Sequence, residues 1–198
     1  PKFGFGSMDL TKNPLALKKA LSEVSHPIKS KMVAMTELSV VYGSPGSGKT
    51  LVTLSDIRRS ILDKTIKGED VVYVNLDDSA IGLAEKAEIL AELKIKMIKE
   101  FDRKMLYSMI DENVAKGKVI IIDTVKKIAN LMDKANVAGM MKDLKNFTHV
   151  GGTGILIAHS NKNLGSDGFP VLEGVGDLRS DADCVVMVQR HKDIITMT

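Results

Sequence analysis

The chain is poor in cysteine and in aromatic residues. It has 1 cysteine, Cys184, and no tryptophan, and aromatic residues make up 4% of its 198 positions. A single cysteine excludes an internal disulfide and a cysteine zinc cluster, which favours a reducing, cytoplasmic compartment and a small apolar role for Cys184. No stretch approaches the roughly 18 apolar residues that cross a bilayer, and no secretory signal is visible, so we expect no membrane partner.

An excess of charge of one sign is also lacking. The chain has 28 Lys and Arg against 25 Asp and Glu, and its net charge of +3 permits nucleic-acid binding without arguing for it. The length and the hydrophobic fraction of 44% suit one globular domain with a sizeable core. We set residues 1–8 aside as a vector-derived remnant that ends at a start methionine, and we expect a helical segment over 9–35 and one domain over 36–198.

What the chain does have is a complete glycine-rich loop between a predicted strand and a predicted helix. Its sequence is Gly43-Ser44-Pro45-Gly46-Ser47-Gly48-Lys49-Thr50. Glycines in such a loop let backbone N–H groups face phosphate oxygens, and the helix that follows adds the positive end of its dipole. In this pattern Lys49 reaches the β- and γ-phosphates and the hydroxyl of Thr50 ligates Mg²⁺. With strand and helix patterns on either side, the loop predicts a nucleoside triphosphate site.

Strand and helix patterns alternate along the rest of the chain. Asn13 and Pro14 signal the start of the N-terminal helix. We predict strands at 38–42, 71–76, 119–122, 154–158 and 184–188, and helices near 49–63, 80–92, 97–115 and 136–147. The strand runs are nearly continuous in apolar residues, as in strands buried on both faces of a parallel sheet. The alternation predicts a three-layer α/β/α domain with a mostly parallel sheet.

Acidic residues follow two of these strands, at the edge where α/β sheets collect their ligands. Asp123 comes after four consecutive β-branched residues, a position suited to holding Mg²⁺ in a phosphate-loop enzyme. Asp77 follows 71–76 and is a candidate for activating the attacking water; the alternative is that Asp77 or Asp78 caps the next helix. These positions predict hydrolysis of the nucleotide as well as its binding.

Two later residues extend the candidate site. His159 follows 154–158 and is a candidate sensor of the γ-phosphate, although a lone histidine is often structural. Arg190 follows the last predicted strand, where it would stabilise transition-state charge on a neighbouring subunit's nucleotide; the alternative is an ordinary surface arginine.

Taken together, these motifs resemble those of the RecA-like ATPases, and among them the hexameric replicative helicases of the DnaB and plasmid RepA kind. The loop at 43–50 looks like Walker A, and 119–123 looks like Walker B. The segment 73–78 is similar to the strand that carries the family's catalytic glutamate, and Asp77 in that place is one methylene shorter.

The resemblance continues to the C-terminal part of the chain. Residues 158–162 are similar to the sensor segment, with histidine and a lysine, Lys162, where plasmid RepA-type proteins have them. The Asp-Leu-Arg at 177–179 and the Asp-Ala-Asp at 181–183 are similar to family elements that precede the trans-acting arginine, which corresponds to Arg190.

The resemblance implies ATP and Mg²⁺ as cofactors, a hexameric ring as the assembly, and single-stranded DNA or RNA as the partner. The segments 124–137 and 162–176 would then face the central channel, with contacts from Lys126, Lys127 and Lys162. Because Phe169 is the one aromatic residue in these segments, we expect salt-sensitive contacts with the nucleic-acid backbone.

Two alternatives stay open. One is another motor on the same core, a viral packaging or recombination ATPase. The other is a nucleotide-switched assembly module with little turnover, which the shorter Asp77 keeps in play.

Overall fold

The computed structural model describes residues 3–4, 35–77, 80–166, 168–174 and 176–198. Nearly all of the predicted helical segment 9–35 and the alternative capping residue Asp78 therefore lie outside the described residues. The strands are β1 (Phe3–Gly4), β2 (Leu38–Gly43), β3 (Val71–Asn75), β4 (Lys96–Ile98), β5 (Val119–Asp123), β6 (Thr153–Leu164), β7 (Pro170–Leu172), β8 (Cys184–His191) and β9 (Ile194–Met197). The helices are α1 (Lys49–Leu62), α2 (Ala80–Glu92), α3 (Arg103–Met109), α4 (Glu112–Ala115), α5 (Lys134–His149) and α6 (Asp177–Ser180).

The described strands form one sheet, in the order β4-β3-β5-β6-β2-β8-β9-β1, with β7 paired to β6. Neighbours from β4 to β8 run parallel, and β9, β1 and β7 pair antiparallel. The predicted fold class, an α/β domain with a mostly parallel sheet, is confirmed. Phe3–Gly4 belong to the segment 1–8 that was expected to be a vector-derived remnant, and they pair with β9 at the edge of the sheet opposite β4.

Two cores lie on opposite faces of this sheet. Successive side chains of a strand alternate between faces, so the β-branched run of β5 divides between the two cores. Val119 and Ile121 pack on the face covered by α1 and α2. Ile120 and Ile122 pack on the face covered by α3 and α5. A strand buried on both faces needs no polar alternation, which is why its sequence is continuously apolar.

The strand order creates a crevice at the carboxyl edge of β2. The chain leaves β2 for β3 on one side of the sheet, and β8 later pairs with the other side of β2. At such a reversal the loops that follow neighbouring strands separate, which leaves room for a ligand. The phosphate-binding loop follows β2 and therefore lies at this crevice.

The predicted helix over 97–115 is wrong in its extent, because the structure has the end of a strand and two short helices, α3 and α4, over this range. Lys96–Ile98 form the edge strand β4 beside β3, and helical structure begins only at Arg103. Asp102 caps that helix by accepting a hydrogen bond of 2.8 Å from the backbone N–H of Met105. On α3, Arg103 pairs with the buried Asp143.

The C-terminal part holds more strand than the sequence predicts. β6 continues past 158 to Leu164 and pairs with β7, so the predicted channel segment 162–176 begins as a β-hairpin. β9, which follows the last predicted strand, pairs with β8 and extends the sheet. These strands are short and partly exposed, so they lack the apolar runs by which the buried strands were recognised.

A buried carboxyl on α1 gives the fold a dependence on pH. Asp56 is 6% exposed, and burial raises its pKa from 3.8 to about 6, against an opposing effect of Arg59. The folded protein therefore holds this proton more tightly than the unfolded chain does. Stability contributed by the protonated form is lost as the pH rises through about 6.

We predict that Asp56→Asn stabilises the protein at pH 8 by up to about 3 kcal/mol, since each pKa unit is about 1.4 kcal/mol. The gain should shrink as the pH falls towards 4, because the wild-type carboxyl is then neutral too. Urea unfolding across this range measures it, with Asp63→Asn, at the exposed end of the same helix, as the control. A gain that is constant with pH would contradict the burial of a titrating Asp56.

Candidate functional site

The phosphate-binding loop connects β2 to α1 and is closed by its own lysine. Lys49 donates hydrogen bonds from Nζ to the carbonyl oxygens of Gly43 at 3.0 Å and Ser44 at 2.8 Å. Gly46 has a φ of 75°, and a Cβ there would meet nothing within 4 Å, so this part of the loop is an open cradle. Burial lowers the pKa of Lys49, an effect that the carboxylate of Asp123 opposes.

Beside the loop, one carboxylate oxygen gathers contacts from several elements. Asp123, the last residue of β5, accepts hydrogen bonds at Oδ2 from the hydroxyl of Thr50 at 2.8 Å and of Tyr73 at 2.5 Å. The Nζ atom of Lys86 on α2 lies 3.7 Å from the same oxygen and 3.3 Å from the Tyr73 hydroxyl. The predicted metal residues Thr50 and Asp123 are therefore in direct contact.

These residues fit Mg²⁺ by their chemistry. A hydroxyl and a carboxylate supply the hard oxygen ligands that Mg²⁺ prefers, and this ion commonly completes its shell with phosphate oxygens and water. Within the described residues no group of three or more His, Cys, Asp or Glu side chains could hold a metal by itself. The arrangement suits an ion that arrives with a nucleotide better than a permanently bound one.

His159 lies next to the loop because β6 runs beside β2, and in their register it is the partner of Gly43. Its Nε2 is 3.6 Å from Oδ2 of Asp77, beyond hydrogen-bond length. Neither ring nitrogen has a hydrogen-bond partner among the described residues, although both are buried. Burial lowers the pKa of His159, as do the charges of Lys49 and Lys126, while Asp77 opposes the shift. The ring is therefore neutral near pH 7 and has an N–H to offer a phosphate oxygen.

The carboxylate of Asp77 lies between Lys127 and His159 at the mouth of the site. Its side chain is 37% exposed, with Oδ1 at 3.8 Å from Nζ of Lys127 and Oδ2 facing His159. Lys126 and Lys127 both belong to the 3-10 turn Val125–Lys127, directly after β5, and both are exposed. The catalytic candidates Lys49, Asp77 and His159 are thus brought to one edge with the basic turn.

Arg190 is placed differently. It lies near the end of β8, and its Nε donates to the carbonyl oxygen of Lys192 at 3.0 Å within the turn that leads to β9. Among the described residues, no hydrogen bond or ion pair joins Arg190 to the loop of its own chain. For Lys162 the structure describes the backbone, in β6, but not the side chain.

The sequence pattern does not single out Tyr73 or Lys86. Tyr73 occurs within the apolar run of β3, and nothing in that run marks its hydroxyl as a partner of Asp123. Lys86 has a signal that could have found it, because it precedes the buried Ile89 and Leu90 by three and four residues and so lies on the buried side of α2. A lysine on an apolar helix face calls for a buried anionic partner.

The β8–β9 hairpin braces the loop from the other side. A Cβ on Gly43 would lie 2.1 Å from the backbone carbonyl oxygen of Val188, and a Cβ on Gly48 would lie 2.6 Å from Cδ1 of Ile195. The loop therefore needs glycine for close packing as well as for phosphate access.

Comparison with known protein families gives one match. The profile of the AAA domain matches residues 10–165. The chain belongs to the AAA domain family. A search of curated proteins finds no match. The AAA domain identifies the protein as a nucleotide-binding P-loop ATPase, and its matched range includes the loop, Asp77, Asp123 and His159. In the part of the chain that the structure describes, no helix has the length and apolar character to traverse a membrane.

We predict that Gly43→Ala costs the AAA domain at least about 1 kcal/mol more stability than Gly46→Ala. Both residues have positive φ, but only at position 43 would the new methyl group collide with backbone, and overpacking costs typically 1–3 kcal/mol. Urea unfolding without nucleotide measures the difference. Equal losses for the two variants would contradict the tight packing of the loop on β8.

Proposed function

We propose that this protein is an ATP-driven motor on single-stranded nucleic acid, a replicative helicase of the plasmid or phage type that works as a hexameric ring. The observation that carries the proposal is the basic turn Val125–Lys127. Its two lysines are exposed to solvent, yet Lys126 lowers the pKa values of Lys49 and His159, and Lys127 contacts Asp77. Cations offered to an external partner are thus part of the electrostatics of the nucleotide site.

The chemistry of the partner follows from these side chains. Exposed lysines neutralise phosphates without reading bases, which gives salt-dependent binding with little sequence preference. The β6–β7 hairpin supports the same partner, because it continues directly from His159 and carries Phe169, 46% exposed, near its tip. One exposed ring offers one surface for base stacking.

Each residue at the carboxyl edge of the sheet would have a separate role in hydrolysis. Lys49 and the loop N–H groups bind the phosphates, and Asp77 accepts a proton from the attacking water. His159, neutral and without a described partner, donates a hydrogen bond to a γ-phosphate oxygen. Thr50 and Asp123 would hold Mg²⁺, which would supply neutralisation of the charge on the transferred group.

The contact between Lys127 and Asp77 suggests how nucleic acid would stimulate turnover. A carboxylate oxygen in contact with an ammonium group is less available to accept a hydrogen bond from water. A nucleic-acid phosphate that binds Lys127 would weaken this pair and leave Asp77 available to water. The motor would therefore turn over slowly until a strand occupies the basic turn.

The position of Arg190 supports the proposed hexameric assembly. The arginine lies at the hairpin end of β8 and is not bonded to its own loop within the described residues. An arginine placed in this way is free to reach a nucleotide on a neighbouring subunit, where it would stabilise charge in the transition state.

We predict that single-stranded DNA or RNA stimulates ATP hydrolysis, and that Lys127→Ala raises the unstimulated rate by up to about fivefold. The limit follows from the worth of an exposed ion pair, at most about 1 kcal/mol. The same variant should respond less to nucleic acid. Steady-state hydrolysis at low salt, with and without a single strand, measures both effects.

Lys134→Ala is the matched control, since Lys134 is an exposed lysine in the same segment but begins α5. It should leave the unstimulated rate unchanged. Turnover that ignores nucleic acid in the wild type would favour the nucleotide-switched assembly module instead. An unstimulated rate that is equal in wild type and Lys127→Ala would contradict the coupling through Asp77.

A further inference from the structure

The carboxylate assigned to the metal already has a cation against it. Lys86 places Nζ 3.7 Å from Oδ2 of Asp123, the same oxygen that Thr50 contacts. The side chains of Lys86 and Asp123 are only 14% and 11% exposed. An ion pair so nearly buried is shielded little by solvent, unlike the pairs on the surface of a protein.

The ammonium group is held in place by more than this carboxylate. Its Nζ lies 3.3 Å from the hydroxyl of Tyr73 and 5.7 Å from the centre of the same ring. Ile89 and Leu90, on the following turn of α2, are buried in the core beneath the sheet. The two distances from Nζ place the ammonium at the hydroxyl end of the ring, and the hydroxyl and the carboxylate together define a cation position beside Asp123.

We propose that the ammonium group of Lys86 neutralises Oδ2 of Asp123, the oxygen assigned to the metal, while nucleotide is absent. Binding of the divalent ion then depends on nucleotide. The proposal rests on the assignment of Thr50 and Asp123 to the metal. It is independent of the nucleic-acid partner.

The physical reason is repulsion between like charges. A dication bound to Oδ2 of Asp123 would lie no farther than about 6 Å from the Lys86 ammonium, since the ammonium is 3.7 Å from that oxygen and a metal–oxygen bond is about 2.1 Å. Even at the dielectric of water, repulsion at that separation is worth about a factor of ten in a binding constant. The polyphosphate of a nucleotide brings several negative charges, which attract the ion while Lys86 is displaced towards Tyr73 or solvent. The free ion alone has no such compensation.

Lys86 also stabilises the charge of Asp123 when no metal is bound. Asp123 is 8% exposed, and a buried carboxylate without a counter-charge is costly. Lys86 supplies that charge from within the chain, so the site does not need to capture a free divalent ion. Metal and nucleotide would then enter together.

The test is binding of Mn²⁺, a spectroscopic substitute for Mg²⁺, to the full chain without nucleotide. We expect Lys86→Met to bind Mn²⁺ at least about tenfold more tightly than wild type, as measured by electron paramagnetic resonance of the free ion. Lys86→Arg keeps the charge and should bind like wild type. Lys134→Met removes an exposed lysine at the start of α5, and it should change the affinity by less than about twofold.

Lys86→Gln repeats the test with a polar neutral side chain, and circular dichroism checks that each variant is folded. Equal Mn²⁺ affinity in wild type, Lys86→Met and Lys86→Gln, with normal binding of Mn²⁺ in the presence of ATP, would overturn the proposal and leave the metal site standing. Tight binding by Lys86→Met that survives a second change, Asp123→Asn, would also overturn it, because the ion would lie elsewhere. Failure of wild type to bind Mn²⁺ even with ATP would overturn the metal assignment itself.

Discussion

The carboxylate of Asp123 joins the parts of this protein at its ligand-binding edge. One of its oxygens accepts hydrogen bonds from Thr50 of α1 and Tyr73 of β3, and it faces Lys86 of α2. A buried carboxylate without such partners would be costly, so these contacts keep the charge in place and fix helix and strand against β5. The loop, which begins α1, is thereby held beside the strand ends that carry Asp77 and His159.

Positive charge dominates the site formed in this way. Burial lowers the pKa values of Lys49 and His159, and the charge of Lys126 adds to both shifts, so His159 is neutral and the ammonium of Lys49 is held there at a cost in free energy. A polyanion relieves that cost, so a nucleotide is the natural ligand. The basic turn after β5 extends the same field to the surface, and the β8–β9 hairpin fixes the loop from the other side. The phosphate-binding loop and the basic turn are consequently linked by electrostatics over short distances.

The sequence predicted the elements whose causes are local. Continuous β-branched runs located the buried parallel strands, and the loop from Gly43 to Thr50 located the site because each residue type has a chemical role. The edge strand β4, the β6–β7 hairpin and β9 were missed, since their pairing depends on neighbours distant in the chain. The contact of Tyr73 with Asp123 was missed for the same reason, because it forms only when β3 and β5 pack together. For Lys86 the helical spacing was a local signal, but its partner lies on a strand distant in the chain. The roles assigned to Asp77, His159 and Arg190 stay predictions.

Strand separation is the most direct test of the proposed helicase activity. A forked duplex with a labelled strand, incubated with the protein, ATP and Mg²⁺, should be opened by wild type. Lys49→Ala, which lacks the amine that closes the loop, should leave the fork intact. A fork that stays closed while single strands stimulate hydrolysis would contradict the helicase and point to a packaging or recombination motor on the same P-loop core.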